Sequence, residues 1–259
     1  MCAWGREHAS NLGAMIALEL SKRYGVPAFT ADPVTVDEMS DVARVSGVPE
    51  VQRVSLLHAL NIKAMARRAA RELGLALDKA SFVAAHMGGG TSVAAIEGGR
   101  IVDVNNALLG MGPFSPMRAG ALPVGPLVEL AFSGRYDKKA LERKLVYDSG
   151  LKGYLGTSSA LEVENRIGAG DRRAELVYSA MAYQVGKEIA AMAAALKGKV
   201  DAIILTGGVA NSRRFVGMVS ERVGFIARIL VYPGQAEMES LATYAARALS
   251  GEEEVLEYD

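Results

Sequence analysis

Between two short β-prone apolar runs, residues 81–85 and 91–96, stand His86, Met87 and three consecutive glycines, Gly88, Gly89 and Gly90. This order predicts strand, turn, strand. Glycine lacks a Cβ and reaches φ > 0 freely, so a run of three lets backbone N–H groups turn together toward a close-lying anion such as phosphate. No Lys-Ser/Thr pair follows, and the chain continues into a strand where a Walker A loop would open a helix. Gly98 and Gly99 predict a second hairpin into residues 100–104. On its own the stretch reads either as the tight turns of an antiparallel meander or as a phosphate-binding turn.

The chain has 259 residues, enough for one large domain or two smaller ones. Its 29 basic and 29 acidic residues cancel, so no global positive field draws it to nucleic acid or anionic lipid. The expected partners are small molecules, with neither nucleic acid nor membrane among them. Cys2 is the single cysteine, which leaves no internal disulfide, and the opening MCAWGREHAS lacks the long apolar core of a secretory signal. A reducing, cytoplasmic setting is the expectation. The most apolar helical stretch, 189–196, is far shorter than the ~20 residues a bilayer needs.

Ser10 is placed to cap a helix that runs through Arg23 or Tyr24, with Leu12, Met15, Ile16 and Leu20 on an apolar face and Gly25 and Pro27 as its stop. A short strand over 28–31 leads to Asp32-Pro33, which puts the Asp32 carboxylate in a loop at the strand's exit. That position suits a metal or substrate ligand and equally an ordinary turn aspartate. Residues 55–73 predict a helix stopped by Gly74, with Leu57, Met65, Ala69 and Leu73 as core candidates and His58 in its first turns. A lone helical histidine is more often packed or exposed than functional, unless it lines a cleft.

Residues 105–126 hold much glycine and proline but little periodicity, and a connection of that length is uncommon unless functional or disordered. Its apolar content argues against disorder. Arg118 is the only charge between Asp103 and Glu129, either snorkelling at the surface or held to bind an anion; the second reading is favoured. Short helices are expected over 127–132, 138–147 and 159–167. A long one follows over 172–196, with Leu176, Tyr178, Met181, Val185, Ile189 and Met192 toward a sheet. A strand over 200–205 runs into Thr206, Gly207 and Gly208 and a helix cap at Asn211 or Ser212, a natural anion or nucleotide site and equally a tight βα turn. A strand over 226–231 and a helix over 238–249 complete an α/β pattern.

No GxSxG, HExxH, paired-cysteine or RNA-binding signature is present. Seven separated motifs, taken in order, closely resemble the acetate and butyrate kinase family. They are EHASNLGA (7–14), FTADPVTVDE (29–38), SLLHALNIKAMARR (55–68), AHMGGGTSVAAI, VDVNNALLGMGPFSPMRAGALPVG, ILTGGVANS and VYPGQAEMESLA (231–242). The resemblance covers nearly the whole chain. It implies a sugar kinase/actin/chaperone ATPase-like α/β fold of two related domains around a nucleotide cleft. The implied activity is ATP-dependent phosphorylation of a short-chain carboxylate, butyrate or a branched-chain relative, to its acyl phosphate, and the reverse. ATP and Mg2+ are the implied cofactors and a homo-oligomer the implied assembly.

Residue by residue, the resemblance implies that His86 to Gly90 form the phosphate-binding hairpin and that Gly207, Gly208 and Asn211 form the adenosine-side loop. Arg118 corresponds to an arginine that stabilises the phosphoryl group in flight, His58 to a donor to that group, and His8 to a residue on the acyl side. Asp32 and Glu237 correspond to acidic residues that hold or orient magnesium, with Glu239 as the substitute for Glu237. The chain departs from the family pattern in having no counterpart of an N-terminal N-P-G-S strand and hairpin. The expectation is therefore a truncated first domain, 1–80, carrying the acyl and metal side, and a complete nucleotide-binding domain, 81–259. The alternative is a truncated, non-catalytic nucleotide-binding module of the same fold.

Overall fold

The computed structural model describes residues 12–253 and residue 255. In chain order the elements are α1 (Leu12–Tyr24), α2 (Asp41–Arg44), α3 (Ala59–Leu73), β1 (Ser81–Met87), β2 (Thr91–Glu97), β3 (Arg100–Val104), α4 (Val124–Ala131), α5 (Lys138–Tyr147), α6 (Gly150–Leu155), α7 (Ala160–Gly168), α8 (Arg172–Ala195), β4 (Ala202–Gly207), α9 (Arg213–Val223), β5 (Ile229–Pro233) and α10 (Glu237–Ser250). Among the described residues no helix is long and apolar enough to cross a membrane.

The five strands form one sheet in the order β3-β2-β1-β4-β5. β1 pairs antiparallel with β2, and β2 with β3. β4 lies parallel to β1, and β5 parallel to β4. β1 is central and buried on both faces, so its side chains alternate between two cores. Val83, Ala85 and Met87, with Ile203 and Leu205, pack against Tyr178, Met181, Val185 and Ile189 of α8 and Phe215 and Val219 of α9. On the opposite face Phe82 and Ala84, with Ala94, Ile96 and Ile204, pack against Ile62, Met65, Ala66 and Ala69 of α3. The result is helix, sheet, helix, and the α3 core draws on residues from both sides of position 80.

Several sequence expectations shift. Residues 28–31 join no strand ladder among the described residues, and an extended segment without a ladder partner is not a strand. Asp32 sits at φ 41, in the left-handed region rather than at a strand's extended exit. α3 begins at Ala59, because the preceding residues bond elsewhere: Ser55 Oγ donates to Val36 O (2.6 Å) and the Leu57 N–H to Val34 O (3.0 Å). Leu176 is 70% exposed; the buried set of α8, including Tyr178, Met181, Val185 and Ile189, recurs at three and four residues, which turns Leu176 to the opposite side. β5 starts three residues later than expected, because the Ile226 N–H closes a turn onto Val223 O and ladder pairing begins at Ile203 with Ile229. α1 forms and ends at Gly25 as expected, but its apolar face is not packed: Leu12, Met15, Ile16 and Leu20 are exposed.

Gly207 is the tightest point of the β1–β4 pair. It has φ 89, and a Cβ there would lie 2.4 Å from the Met87 carbonyl oxygen, whereas a Cβ on Gly208 would meet nothing within 4 Å. Gly207→Ala is therefore expected to lower the unfolding free energy by several kcal/mol, with Gly208→Ala within about 1 kcal/mol of the parent. By the same urea-unfolding measurement, Phe82→Ala should cost about 3–5 kcal/mol, because its site is fully buried. Leu176→Ala should stay within about 0.5 kcal/mol.

Candidate functional site

Register brings three polar side chains into one row across the sheet. Ser92 of β2 stands opposite His86 of β1, and His86 opposite Thr206 of β4. All three are buried on the face that α3 covers, at the end of the parallel strands where the glycine turns begin. The first turn of α3 supplies their partners. His58, at its N-cap, donates its backbone N–H to Ser92 Oγ (3.2 Å) and brings its ring Nδ1 to 2.8 Å from the same hydroxyl. We assign the hydroxyl proton to Nδ1, which leaves His58 with an N–H at Nε2. Asn61, 2% exposed, reaches the other two.

The orientation of the Asn61 amide follows from its neighbours. One end faces the Gln235 carbonyl, which only accepts, so that end is the NH2. The other end is Oδ1, 2.8 Å from His86 Nδ1 and 3.2 Å from Thr206 Oγ1. His86 Nδ1 therefore donates, and His86 Nε2 is bare, buried and without a partner. The two imidazoles are stacked, ring centroids 4.1 Å apart at 17°. Burial and then the charge of Arg118 push His58 down to about 4. Burial and then His58 push His86 down to about 3. Both rings are neutral at neutral pH.

Arg118 arrives on the long connection between β3 and α4. Its Nη1 donates to Ala107 O (2.5 Å), and the guanidinium lies so close to the glycine turn that a Cβ on Gly90 would sit 2.1 Å from Nη1. The connection is tied to the turn by Ser115 Oγ donating to Gly89 O (2.6 Å) and the Met117 N–H to the same oxygen (3.3 Å). Burial lowers the Arg118 pKa, and among the described residues no carboxylate pairs with it. A half-buried cation anchored by a carbonyl dipole suits an incoming anion. Long, aperiodic and ordered, this connection forms part of the site.

Gly88 thus adjoins His86 and Gly90 adjoins Arg118, while Gly207 ends β4 against Met87 and Gly208 follows it. Asn211 closes a short turn by donating to Gly208 O (2.9 Å), and Ser212 is the actual cap of α9, accepting from Phe215 N (2.8 Å). Asp32 leans on α3 through Lys63, with Oδ1 3.2 Å from Nζ, and its Oδ2 is buried without a partner. Lys63 also pairs with Glu38 (2.9 Å), whose other oxygen accepts the Ile101 N–H (2.8 Å). Glu237 and Glu239 lie exposed in the first turn of α10, just beyond Gln235. His8 lies outside the described residues. Among the described residues no group of three or more His, Cys, Asp or Glu side chains is set to hold a metal ion. Magnesium bound through substrate phosphates asks less, one or two carboxylates, and the orphaned Asp32 oxygen fits that role.

Asn61, Ser92, Thr206 and Lys63 are not singled out by sequence reading. A signal existed for Asn61: it stands four residues before Met65 and eight before Ala69, a polar residue on the buried face of α3.

The neutral histidines set a pH dependence. In the unfolded chain each ring titrates near the ordinary 6.5. Below that value the unfolded state binds protons the folded state refuses, so their stabilising contribution is complete above pH 6.5 and is lost as pH falls toward the folded values. Lowering the pH from 7 to 5 is expected to remove about 2 kcal/mol per histidine, a loss about halved in His58→Gln, read by urea unfolding at both pH values.

Comparison with known proteins adds the family. Residues 51–229 match the Acetokinase family. The chain is 55% identical over 249 residues to a probable butyrate kinase 2 of Caldanaerobacter subterraneus subsp. tengcongensis, covering 96% of this chain and 70% of that protein. It is 50% identical over 252 residues to butyrate kinase 2 of Clostridium acetobutylicum, covering 97% and 71%. Among solved structures it resembles Porphyromonas gingivalis acetate kinase, with TM-score 0.72 at 24% identity over 80% of this chain and 60% of that one. It also resembles a propionate kinase of Francisella tularensis, with TM-score 0.69 at 20% identity over 78% and 59%. These two likenesses are of fold, and the α/β fold that the motifs implied is the one found. The chain spans about 70% of those butyrate kinases and about 60% of the acetate kinase. With its family model matching more than half of the chain and half of its residues shared with butyrate kinases, this protein belongs to the Acetokinase family.

Proposed function

We propose that this chain carries the phosphoryl-transfer site of an ATP-dependent kinase acting on a short-chain carboxylate. One oxygen of the acid's carboxylate attacks the γ-phosphorus of ATP, the bond from that phosphorus to the ADP oxygen breaks, and an acyl phosphate and ADP leave; the reverse makes ATP. The observation that carries this reading is Arg118, a half-buried guanidinium with no carboxylate partner among the described residues, pressed against the Gly88–Gly90 turn beside two neutral, stacked imidazoles. A serine or sugar hydroxyl would need a base to accept its proton. A carboxylate is already ionised, and the one bare ring nitrogen at the turn, His86 Nε2, is too weak a base for a hydroxyl proton, its pKa pushed down to about 3.

In this reading Gly88, Gly89 and Gly90 receive the phosphates, and Gly207, Gly208 and Asn211 the adenosine side. Arg118 neutralises the oxygens of the transferring group, and His58 Nε2–H donates to them. Mg2+ would be held by Asp32 and Glu237, where it supplies charge neutralisation on the phosphates. Residues 1–80 contribute the acyl and metal side, His8 included, and residues 81–259 the nucleotide side. The names of the relatives described above support butyrate as the acid, and a branched relative is its near homologue. Hydrophobic pockets separate such homologues by only ~1–3 kcal/mol, so neighbouring acids should also react.

Trapping acyl phosphate as its hydroxamate with hydroxylamine, in the presence of Mg-ATP and butyrate, tests the reading. The parent is expected to give product and Arg118→Ala to turn over about 10²–10³-fold more slowly with its fold retained by circular dichroism. Near-normal turnover by Arg118→Ala would overturn the role given to that residue. Tight ATP binding with no product from the parent would favour the non-catalytic module.

A further inference from the structure

Asn61 fixes more than a helix position. Its Oδ1 takes the Nδ1 proton of His86 and the hydroxyl of Thr206, and its NH2 holds the Gln235 carbonyl at the entrance to α10. The only ring nitrogen of His86 left for the glycine turn is therefore a bare lone pair. It faces that turn: a Cβ on Gly88 would stand 3.5 Å from Nε2. A phosphate oxygen also offers only lone pairs, so neutral His86 and a phosphate at this turn would repel. An Nε2–H, by contrast, would give a charge-assisted bond.

We infer that Asn61 is a positioning residue which holds His86 in the Nδ1–H form, so that Nε2 meets a nucleotide phosphate by taking up a proton as the phosphate binds. This rests on the reading of the glycine turn as the nucleotide's phosphate site. The proton comes from the buffer and adds to the Nε2 lone pair; no other bond forms or breaks. The resulting imidazolium donates from both nitrogens, to Asn61 and to the phosphate.

The surroundings limit the uptake to one proton. From α3, His58 stacks on His86 at 4.1 Å. From β2 and β4 the facing groups are Ser92 and Thr206, which are uncharged. From the long connection Arg118 adds a fixed positive charge beside His58, and Gln235, before α10, is neutral. Two stacked imidazolium rings next to that arginine would repel, so the pair titrates as a unit. With no anion present burial holds His86 neutral, its pKa pushed down to about 3. An adjoining phosphate acts in the opposite direction, by opposite charge and by a new hydrogen bond.

The experiment is nitrogen-15 NMR of histidine-labelled chain at pH 7, alone and with saturating Mg-ADP, with amide shifts elsewhere reporting binding. Free, His86 is expected to show a proton on Nδ1 and a bare Nε2. Bound, it should show protons on both. A free chain with the proton on Nε2, or a bound chain whose Nε2 stays bare, would overturn the inference. Absence of any shift with Mg-ADP would instead remove the nucleotide-site reading, and the proton uptake with it, while the free-state tautomer still tests Asn61. Asn61→Asp places a full negative charge on Nδ1–H and should move the free-state titration of His86 upward by at least one pH unit. A rise of that size still leaves the free ring neutral at pH 7, so calorimetric proton uptake on binding should stay near one in parent and variant alike. A titration unmoved in Asn61→Asp would show a purely structural role and overturn the assignment.

Discussion

A single side-chain amide, that of Asn61, ties three distant chain segments together at the end of the sheet: the tip of β1, the tip of β4 and the entrance to α10. Buried polar groups are tolerable only when paired, and here nearly every one is. Ser92 meets His58, Thr206 and His86 meet Asn61, and Asn61 meets Gln235. His86 Nε2 is left over, and it is the atom that faces the glycine turn. The network is thus closed on every side but one, where a lone pair at the glycine turn is free to take a proton.

The charges are arranged on the same principle. Among the described residues, positive charge at the turn comes from Arg118, anchored by a carbonyl rather than neutralised by a carboxylate, while the imidazoles beside it are kept neutral by burial. Negative charge is kept apart, with Asp32 and Glu38 sharing Lys63 on the second turn of α3. The separation leaves Arg118 uncompensated at the turn and one Asp32 oxygen open. Phosphoryl transfer to a carboxylate, with negative charge on both reactants, is chemistry that such a layout favours.

Much of this could be read along the chain. Alternating and continuous apolar runs gave the strands from 81 to 104 nearly to the residue, and Asp137, Ser159 and Asp171 cap α5, α7 and α8 where short side-chain acceptors precede apolar periodicity. What could not be read depends on pairing between remote segments. The stretch at 28–31 has strand composition but no ladder, and Leu176 is apolar but on the wrong side of its helix. The candidate-site residues of distinctive type, glycine, histidine and a solitary arginine, stand out in the sequence. Asn61, Ser92 and Thr206 were not, because ordinary polar residues become significant only when register sets them in one row.

That row depends on β1 lying parallel to β4, and Phe82 and Ala202, the first pair in their register, are 120 positions apart in sequence. During synthesis β1, β2 and β3 can pair with one another at once, since hairpins join them, whereas the remaining edge of β1 stays open until β4 emerges. At roughly 5–20 residues per second that interval lasts on the order of ten seconds. Through it the long connection, α8 and the exposed edge must coexist without the strand that completes them, and His86 has no Thr206 beside it. The site is thus among the last features the growing chain can form, and the vulnerable species during biosynthesis is an unpaired β1 edge rather than an unfolded chain.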